Sequence, residues 1–443
     1  MNTTTNTMEV QAFIDAQPLS ATQKLIIALC FVVVAIDGFD TAAVGFIAPA
    51  LIEQWQLTQP QLAPLFGAGL FGLMIGALVF GPLADKIGRK PIMIGSVFVF
   101  GAASFLSAFS PDLQTLVILR FITGIGLGGA MPNAITMTSE FCPTARRSTL
   151  VTLMFCGFTI GSALGGIVSG QLIPSIGWQG ILIIGGVMPL MILPILIWWF
   201  PMSLRFMVTK NFPKHKVDQV ARRISADPNA IVPQLIAAPT DKAQVSVKEL
   251  FSKNYALGTI LMWIAFFMSM LIIYLISSWM PTLLKSVGFD LKNAAWITSV
   301  FQIGGTIGAI TLGYLMDKKG AAKVLYLSYI AGAVFLIIVG QGIIGLNLAL
   351  LLIGMFGIGV GVSGSQVGAN AFSSAYYPTH CRATGVSWAN AVGRSGSVVG
   401  SMVGGWLMAM NLSADTIVGL LAVPALVAAV MFFLIGQMIA RQS

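Results

Sequence analysis

The chain has 443 residues, 56% of them hydrophobic and 9% charged, with a formal net charge of +9. A soluble domain carries about 25% charged residues, and a disordered chain needs low hydrophobicity, so both classes are excluded. What remains is an all-α integral membrane protein, because a helix satisfies its own backbone hydrogen bonds in lipid.

The first 24 residues read as a cytoplasmic tail. They are polar, and the apolar run that follows is too long for the h-region of a signal peptide. Apolar stretches long enough to cross a bilayer then recur at 25–50, 62–84, 91–110, 114–139, 149–173 and 178–200. They form an N-terminal six-helix bundle over 25–200. The polar stretch 201–254 carries nine Lys and Arg and several prolines. It reads as a cytoplasmic linker with one surface helix near 213–226. Six more stretches follow at 255–280, 293–316, 321–341, 346–374, 384–410 and 414–440, giving a C-terminal bundle over 255–440. With the N-terminus inside, the cytoplasmic loops hold 20 Lys and Arg and the outer loops hold two, Lys285 and Lys292. That bias orients both termini inward. The positive charge is therefore an orientation signal against lipid headgroups, and no nucleic-acid partner is expected.

Cys30, Cys142, Cys156 and Cys381 show no metal or redox spacing. They read as small apolar packing residues, and neither a metal nor a cofactor is expected. His215 and His380 fall in cytoplasmic loops. No nucleophile–base constellation appears, so an enzyme is not expected.

The two halves repeat each other. Gly72, Gly76, Gly81, Asp85, Lys86 and Gly88 recur 232 positions later as Gly304, Gly308, Gly313, Asp317, Lys318 and Gly320, and Pro49 recurs as Pro281. Gly124, Gly126 and Gly128 match Gly357, Gly359 and Gly361 at an offset of 233. Pro143, Thr144, Arg147, Gly161, Gly165 and Gly170 match Pro378, Thr379, Arg382, Gly396, Gly400 and Gly405 at 235. Six segments separate the copies, so the repeats are parallel, a layout shared by transporters that rock two halves about a midplane site. The Gly-x-Gly-x-Gly runs lie inside apolar helices with no preceding strand, which excludes a dinucleotide loop. Small residues there let helices approach closely.

The segment Gly81-Pro82-Leu83-Ala84-Asp85-Lys86-Ile87-Gly88-Arg89-Lys90-Pro91 resembles the loop motif between helices 2 and 3 of the major facilitator superfamily, and Gly313 to Gly320 is its degenerate copy. Asp37-Gly38-Phe39-Asp40 in segment 1 is similar to the aromatic acid/proton symporters of that superfamily. So are Leu119-Arg120-Phe121, Met131-Pro132-Asn133-Ala134, the run from Arg382 to Trp388, and Gly393-Arg394. Met202 stands where that family usually has Glu. The resemblance covers the chain from about residue 10 onward, and it is nearest to 4-hydroxybenzoate and benzoate carriers. It implies twelve transmembrane helices in the major facilitator fold, a bacterial-type inner membrane, and a monomeric symporter that imports a small aromatic carboxylate with protons by alternating access. A drug/proton antiporter is the alternative. Exporters of the superfamily typically carry Pro where Ser162 stands, which counts against it. A membrane receptor or chemosensor for aromatic acids would be expected to add a signalling domain, and the sequence shows none.

Four ionisable residues lie well inside segments: Asp37, Asp40, Arg120 and Arg394. Each costs roughly 2.5–3.5 kcal/mol at the bilayer centre, so function is their default explanation. Asp37 and Asp40 are three apart and share one helix face. Two carboxylates that close resist ionising together, which suits proton coupling. A guanidinium binds a carboxylate bidentately, so Arg394 is the first candidate for the substrate carboxylate and Arg120 the second. Arg394 matches Thr159 in the other half, and Arg120 matches Ile353 at the 233 offset. The charges therefore occur once and the frame twice. Asn133, Gln302, Gln366, Asn370 and Asn390 supply uncharged donors, and Asn133, Gln302 and Asn390 are assigned to the substrate. Trp388 is the leading aromatic contact, ahead of Phe39, Phe266 and Phe301. Asp85, Arg89, Glu140, Arg147, Asp317 and Arg382 are assigned to a cytoplasmic gate, with Glu140 paired to Arg146 or Arg147.

Overall fold

The structure is a computed structural model that describes residues 7–225, 232–237, 247–252, 255–378 and 381–442. Lys242, Lys253, Thr379 and His380 lie outside the described residues. Ten helical stretches among these residues are long and apolar enough to cross a bilayer. In chain order the crossings are α1 (Ala21–Trp55), α2 (Gln59–Ile87), α3 (Arg89–Ser107), α4 (Leu113–Phe141), α5 and α6, α7 (Ala256–Ser286), α8 (Leu291–Lys319), α9 (Ala321–Ile344), α10 (Leu348–Tyr376), α11 (Arg382–Ala409) and α12 (Ala414–Arg441).

Two of these need explanation. The stretch Thr144–Trp199 has 56 residues, about 84 Å as a straight helix, far more than a hydrocarbon core of about 30 Å. It bends at Gly177, where φ is +70°. The two limbs, 147–176 and 178–199, are α5 and α6. The helix α11 has 28 residues, but Asn390, Arg394 and four serines keep it below the apolarity of the others. The described residues therefore make twelve crossings. Gly88 and Gly320, equivalent at the 232 offset, take φ values of +102° and +87° in the turns after α2 and α8. These are left-handed conformations that only Gly adopts cheaply.

The repeat governs packing as well as sequence. Gly72 and Gly76 of α2 sit directly against the backbone of α4 at Phe121 and Ile125, and Gly304 and Gly308 of α8 sit against α10 at Phe356 and Val360. Gly161 of α5 abuts Ala35 of α1, and its copy Gly396 of α11 abuts Phe267 of α7. A methyl group at any of these positions would overlap the neighbouring helix.

The packing also corrects one register. Gly124 abuts Gly69 and Leu73, and Gly359 abuts Phe301 and Gly305, which are those two positions plus 232. Gly126 abuts Ser96 and Phe100, and Gly361 abuts Ser328 and Gly332, again plus 232. So α4 matches α10 at an offset of 235 and not 233. Glycines spaced by two still match after a slide of two residues except at one end, where Gly128 meets Ser363, which is why the sequence favoured the shorter offset. Arg120 then matches Met355, still uncharged.

The halves meet through α5 with α8, α2 with α11, and α1 with α7. Contacts gather at the end away from the termini. Lys285 Nζ lies 2.5 Å from Glu53 Oε1, and Phe66 meets Trp279 edge-on at 4.9 Å. Near the middle, the Thr159 and Thr306 hydroxyls are 2.5 Å apart.

At the terminus end, a strand β1 (Thr7–Glu9) pairs in parallel with β2 (Gln234–Ile236) of the linker, a small departure from an all-helical chain. A short helix, Val10–Asp15, follows β1. Asp15 accepts hydrogen bonds from the Thr144 backbone N–H at 2.7 Å and hydroxyl at 2.8 Å. Burial pulls its carboxyl upward, but bonds from Thr144 and Gln11, with Arg147 nearby, outweigh this and hold it below the ordinary value. The linker forms the helix Lys214–Ile224, which buries Val217, Ala221 and Ile224. Leu78, Met191 and Trp198 are among many large apolar side chains left exposed on the flanks. A soluble monomer would not tolerate so extensive an apolar surface, and lipid covers it.

Candidate functional site

The middle of α1 carries both aspartates, and the structure gives them different partners. Asp40 is 2% exposed. Arg120 of α4 donates from Nη1 to both of its oxygens, at 3.0 and 3.2 Å. Ser104 of α3 donates to Oδ1 at 2.5 Å. Arg120 also donates from Nε and Nη2 to Ser107, at 3.3 and 3.0 Å. This is a closed, buried pair. Such pairs persist when hydrogen bonds satisfy the remaining lone pairs and donors, and here Ser104 donates to the carboxylate while Ser107 accepts from the guanidinium. Arg120 is committed to Asp40 and Ser107 and has no bidentate face left for a carboxylate.

Asp37 is 1% exposed. Thr41 donates to its Oδ1 at 3.2 Å, while Oδ2 is buried without a partner. Arg394 acts on it electrostatically, yet Arg394 belongs to none of the four ion pairs among the described residues. Its guanidinium instead donates to the Tyr274 hydroxyl of α7 at 3.2 Å and lies 3.9 Å from the Met131 sulfur of α4. A membrane-depth cation with no acid partner, beside a carboxyl with one oxygen free, is an open site. It draws Asp37 and Met131 from one half and Arg394 and Tyr274 from the other.

Tyr274, Ser104 and Ser107 were not singled out from the sequence. A signal was there for the serines, which share the three-residue spacing of the aspartates. Tyr274 gave a weaker one, as the single tyrosine within an apolar span. A cavity of about 50 Å³ is bounded by Asp40, Phe66, Arg120, Thr123, Tyr274 and Ser278. It has room for water only, since ligand pockets begin near about 300 Å³.

The other assigned residues divide. Gln302 donates to Ser277 at 3.3 Å, one helical turn above the Thr159–Thr306 contact between the halves. Asn390 lies four residues before Arg394 and so shares its face, although its amide donates to the Val386 carbonyl at 3.0 Å. Asn133 donates to the Gly129 carbonyl at 2.7 Å. It lies on the face of α4 that Gly126 and Gly129 pack against Ser96 of α3, opposite Met131, and is not brought to the site. Trp388 is not brought there either. It is 41% exposed and stacks on Trp263 at 5.8 Å, as interfacial aromatic residues do. Phe39, Phe266 and Phe301 are buried core.

At the terminus end, Arg89 pairs with Asp85 at 2.8 Å and with Glu140 at 3.5 Å. Glu140 thus takes Arg89, and not Arg146 or Arg147, as its partner. The turn at Gly88 folds Arg89 back toward the end of α4, while Arg147 is drawn toward the docked tail and Asp15. Met202 packs beside Gly88, so an apolar contact stands where the family usually has a carboxylate. Asp317 is exposed, and Arg382 donates to the Tyr377 carbonyl at 3.3 Å. Neither forms an ion pair among the described residues. Arg89 matches Ala321 at the 232 offset, so the cluster exists in one half only.

Twelve crossings in two equivalent halves, with an open polar site between them at mid-depth, define a membrane transporter of the two-bundle class. Residues 30–337 and 262–438 match the Major Facilitator Superfamily, and the chain belongs to that family. It is 42% identical over 97% of its length, and 94% of the relative's, to the 4-hydroxybenzoate transporter PcaK of Acinetobacter baylyi. It is 41% identical over 95% of its length, and 94% of the relative's, to the gallate transporter of Pseudomonas putida. Among solved structures, the xylose transporter XylE of E. coli in a partially occluded inward-open conformation matches with a TM-score of 0.71 at 17% identity, over 94% of this chain and 98% of that one.

Proposed function

We propose that the protein imports an aromatic carboxylate, 4-hydroxybenzoate, benzoate or a close relative, together with protons across a bacterial-type inner membrane. It acts as a monomer with both termini in the cytoplasm. The observation that carries this reading is Arg394, a mid-membrane guanidinium with no carboxylate partner beside a carboxyl with a free oxygen. The names of the similar transporters add support for the substrate class, and the Lys and Arg bias adds support for the orientation.

The chemistry follows from the two charges. The substrate carboxylate takes two of the three guanidinium nitrogens of Arg394, displacing Tyr274. Asp37 holds a proton on its free oxygen without breaking any hydrogen bond. Asp40 and Arg120 keep α1, α3 and α4 together. At neutral pH such acids are anions, so an inside-negative potential opposes import by about 2.3 kcal/mol per 100 mV. One proton carried with the substrate cancels that charge, and a second makes import electrogenic. Substrate bound to Arg394 and a proton bound to Asp37 bring the two bundles onto one ligand set. The Glu53–Lys285 and Phe66–Trp279 contacts close the periplasmic side and part when the bundles rock, while the Asp85–Arg89–Glu140 cluster shapes the cytoplasmic mouth, to which Arg147, Asp317 and Arg382 are also assigned.

The test is uptake of labelled 4-hydroxybenzoate and benzoate by cells expressing the protein, with and without a protonophore. Uptake that the protonophore abolishes is expected. Uptake insensitive to the protonophore would remove the proton coupling, and no uptake of either acid would remove the substrate class.

A further inference from the structure

Gln366 of α10 is 4% exposed, and neither its amide nitrogen nor its amide oxygen has a partner. Folded proteins satisfy nearly all buried polar atoms, so a side chain with both ends unmet calls for an explanation. Its direction is fixed by its neighbours. Gly364 lies against Gly308 and Ala309 of α8, and Gly368 against Met316 of α8 and Leu325 of α9. Gln366 is two residues from each, about 160–200° around the helix, and so faces away from α8 and α9. On that side the inner part of α10 packs against α11 and α7, the helices that carry Arg394 and Tyr274.

The repeat supports the same direction independently. At the corrected offset of 235, Gln366 is the equivalent of Met131, whose sulfur lies 3.9 Å from Arg394. One half therefore presents a thioether to the centre and the other presents a carboxamide. The π-helical turn Gly359–Gly364 ends two residues before Gln366, and such turns recur at functional sites.

We infer that Gln366 reads a ring hydroxyl of the bound substrate, making it the residue that selects hydroxylated over unsubstituted aromatic acids. A phenolic hydroxyl donates one hydrogen bond and accepts others, and a carboxamide offers the matching acceptor and donor. An unsubstituted ring leaves both ends of Gln366 unmet. A site built around a substrate hydroxyl discriminates against the analogue that lacks it far more strongly than an apolar pocket discriminates by size. This inference rests on the reading that the site takes aromatic carboxylates.

The test is Gln366→Met, which keeps the length and removes both hydrogen-bonding ends, with Gln366→Leu as a second variant. Uptake of labelled 4-hydroxybenzoate and of labelled benzoate is measured for each, alongside gel filtration of the solubilised protein. Wild type is expected to prefer 4-hydroxybenzoate. In both variants that preference should fall about tenfold, the loss of one good hydrogen bond, with benzoate uptake retained. An unchanged preference in a variant that elutes as wild type would overturn the inference. So would equal loss of both acids, or a wild type that takes both acids equally well. If wild type takes neither acid, the proposed substrate class fails first, and the two failures are told apart.

Discussion

Consider Arg120→Gln and Arg394→Gln made separately. Both remove an arginine from mid-membrane, yet their surroundings predict different consequences. Arg120→Gln removes two hydrogen bonds to Asp40, at 3.0 and 3.2 Å, and strands a carboxylate that is 2% exposed. Breaking a buried pair from one side costs about 3–5 kcal/mol. The amide of Gln can return one bond, so the lower end is expected. Arg394→Gln loses one bond to Tyr274 at 3.2 Å, worth about 1 kcal/mol. Against that, it removes a cation that forms no ion pair and is only partly compensated by Asp37, and whose insertion costs up to roughly 2.5–3.5 kcal/mol at this depth. Its fold should be as stable as wild type, or more so. Its transport should nevertheless collapse. Two charge-assisted bonds to a carboxylate contribute about 3 kcal/mol or more, on the order of a hundredfold in apparent affinity. Thermal unfolding in detergent followed by gel filtration separates the two variants, and uptake measures the second effect. Equal destabilisation of both variants would refute the assignment of Arg120 to the frame and Arg394 to the ligand.

A reducible bifunctional thiol cross-linker joining Glu53→Cys and Lys285→Cys, whose native side chains meet tip to tip at 2.5 Å, should block uptake and release it on reduction, because the two long side chains leave their backbones too far apart for a direct disulfide. Uptake unaffected by the cross-link would mean that the halves do not part at that end. Asp37→Asn should keep substrate exchange between loaded and unloaded vesicles but lose accumulation driven by a pH gradient, and retained accumulation would move the proton elsewhere. The docking of Asp15 on Thr144 holds that carboxyl below its ordinary value of 3.8. Because the folded state holds the proton less tightly, the contact contributes fully above that value and is lost only as pH falls below it. Hydrogen exchange at the Thr144 amide should therefore stay protected at neutral pH, in both wild type and Asp15→Glu, and rise in Asp15→Ala. Fast exchange in wild type at pH 7 would exclude the docking.

The bilayer made much of this legible, because lipid punishes every polar side chain. Twelve spans and the four interior charges could be read one residue at a time. Pairing could not be. The three-residue spacing of Asp37 and Asp40 places them on one face but says nothing of which helix lies opposite each. Ser104 and Ser107 matter only because α3 passes beside α4. Trp388 shows the opposite case, where the sequence held the answer. Six residues before Arg394 is 600° of helix, which puts the two on different faces, whereas Asn390 at four residues lies within 40° of Arg394. The docking of residues 7–15 was invisible for another reason. A three-residue strand and one carboxylate carry no periodicity.

Symmetry separates frame from site more sharply than burial does. Where Gly72 meets α4, Gly304 meets α10, and where Gly161 meets α1, Gly396 meets α7. A contact made twice at equivalent places serves the fold, because both halves need it. The charges have no such copies, for Arg120 matches Met355, and Arg394 matches Thr159. Even the closed Asp40–Arg120 pair, structural in its hydrogen bonding, is absent from the other half, which folds without it. Its presence in one half therefore needs a reason beyond holding three helices together, and its place one turn from Asp37 supplies one. A fixed carboxylate–guanidinium pair sets a constant field beside the carboxyl proposed to gain and lose a proton. Neutralising the pair jointly, as in Asp40→Asn with Arg120→Gln, should leave a stable protein whose uptake follows pH differently. An unchanged pH profile in a stable double variant would reduce the pair to a brace.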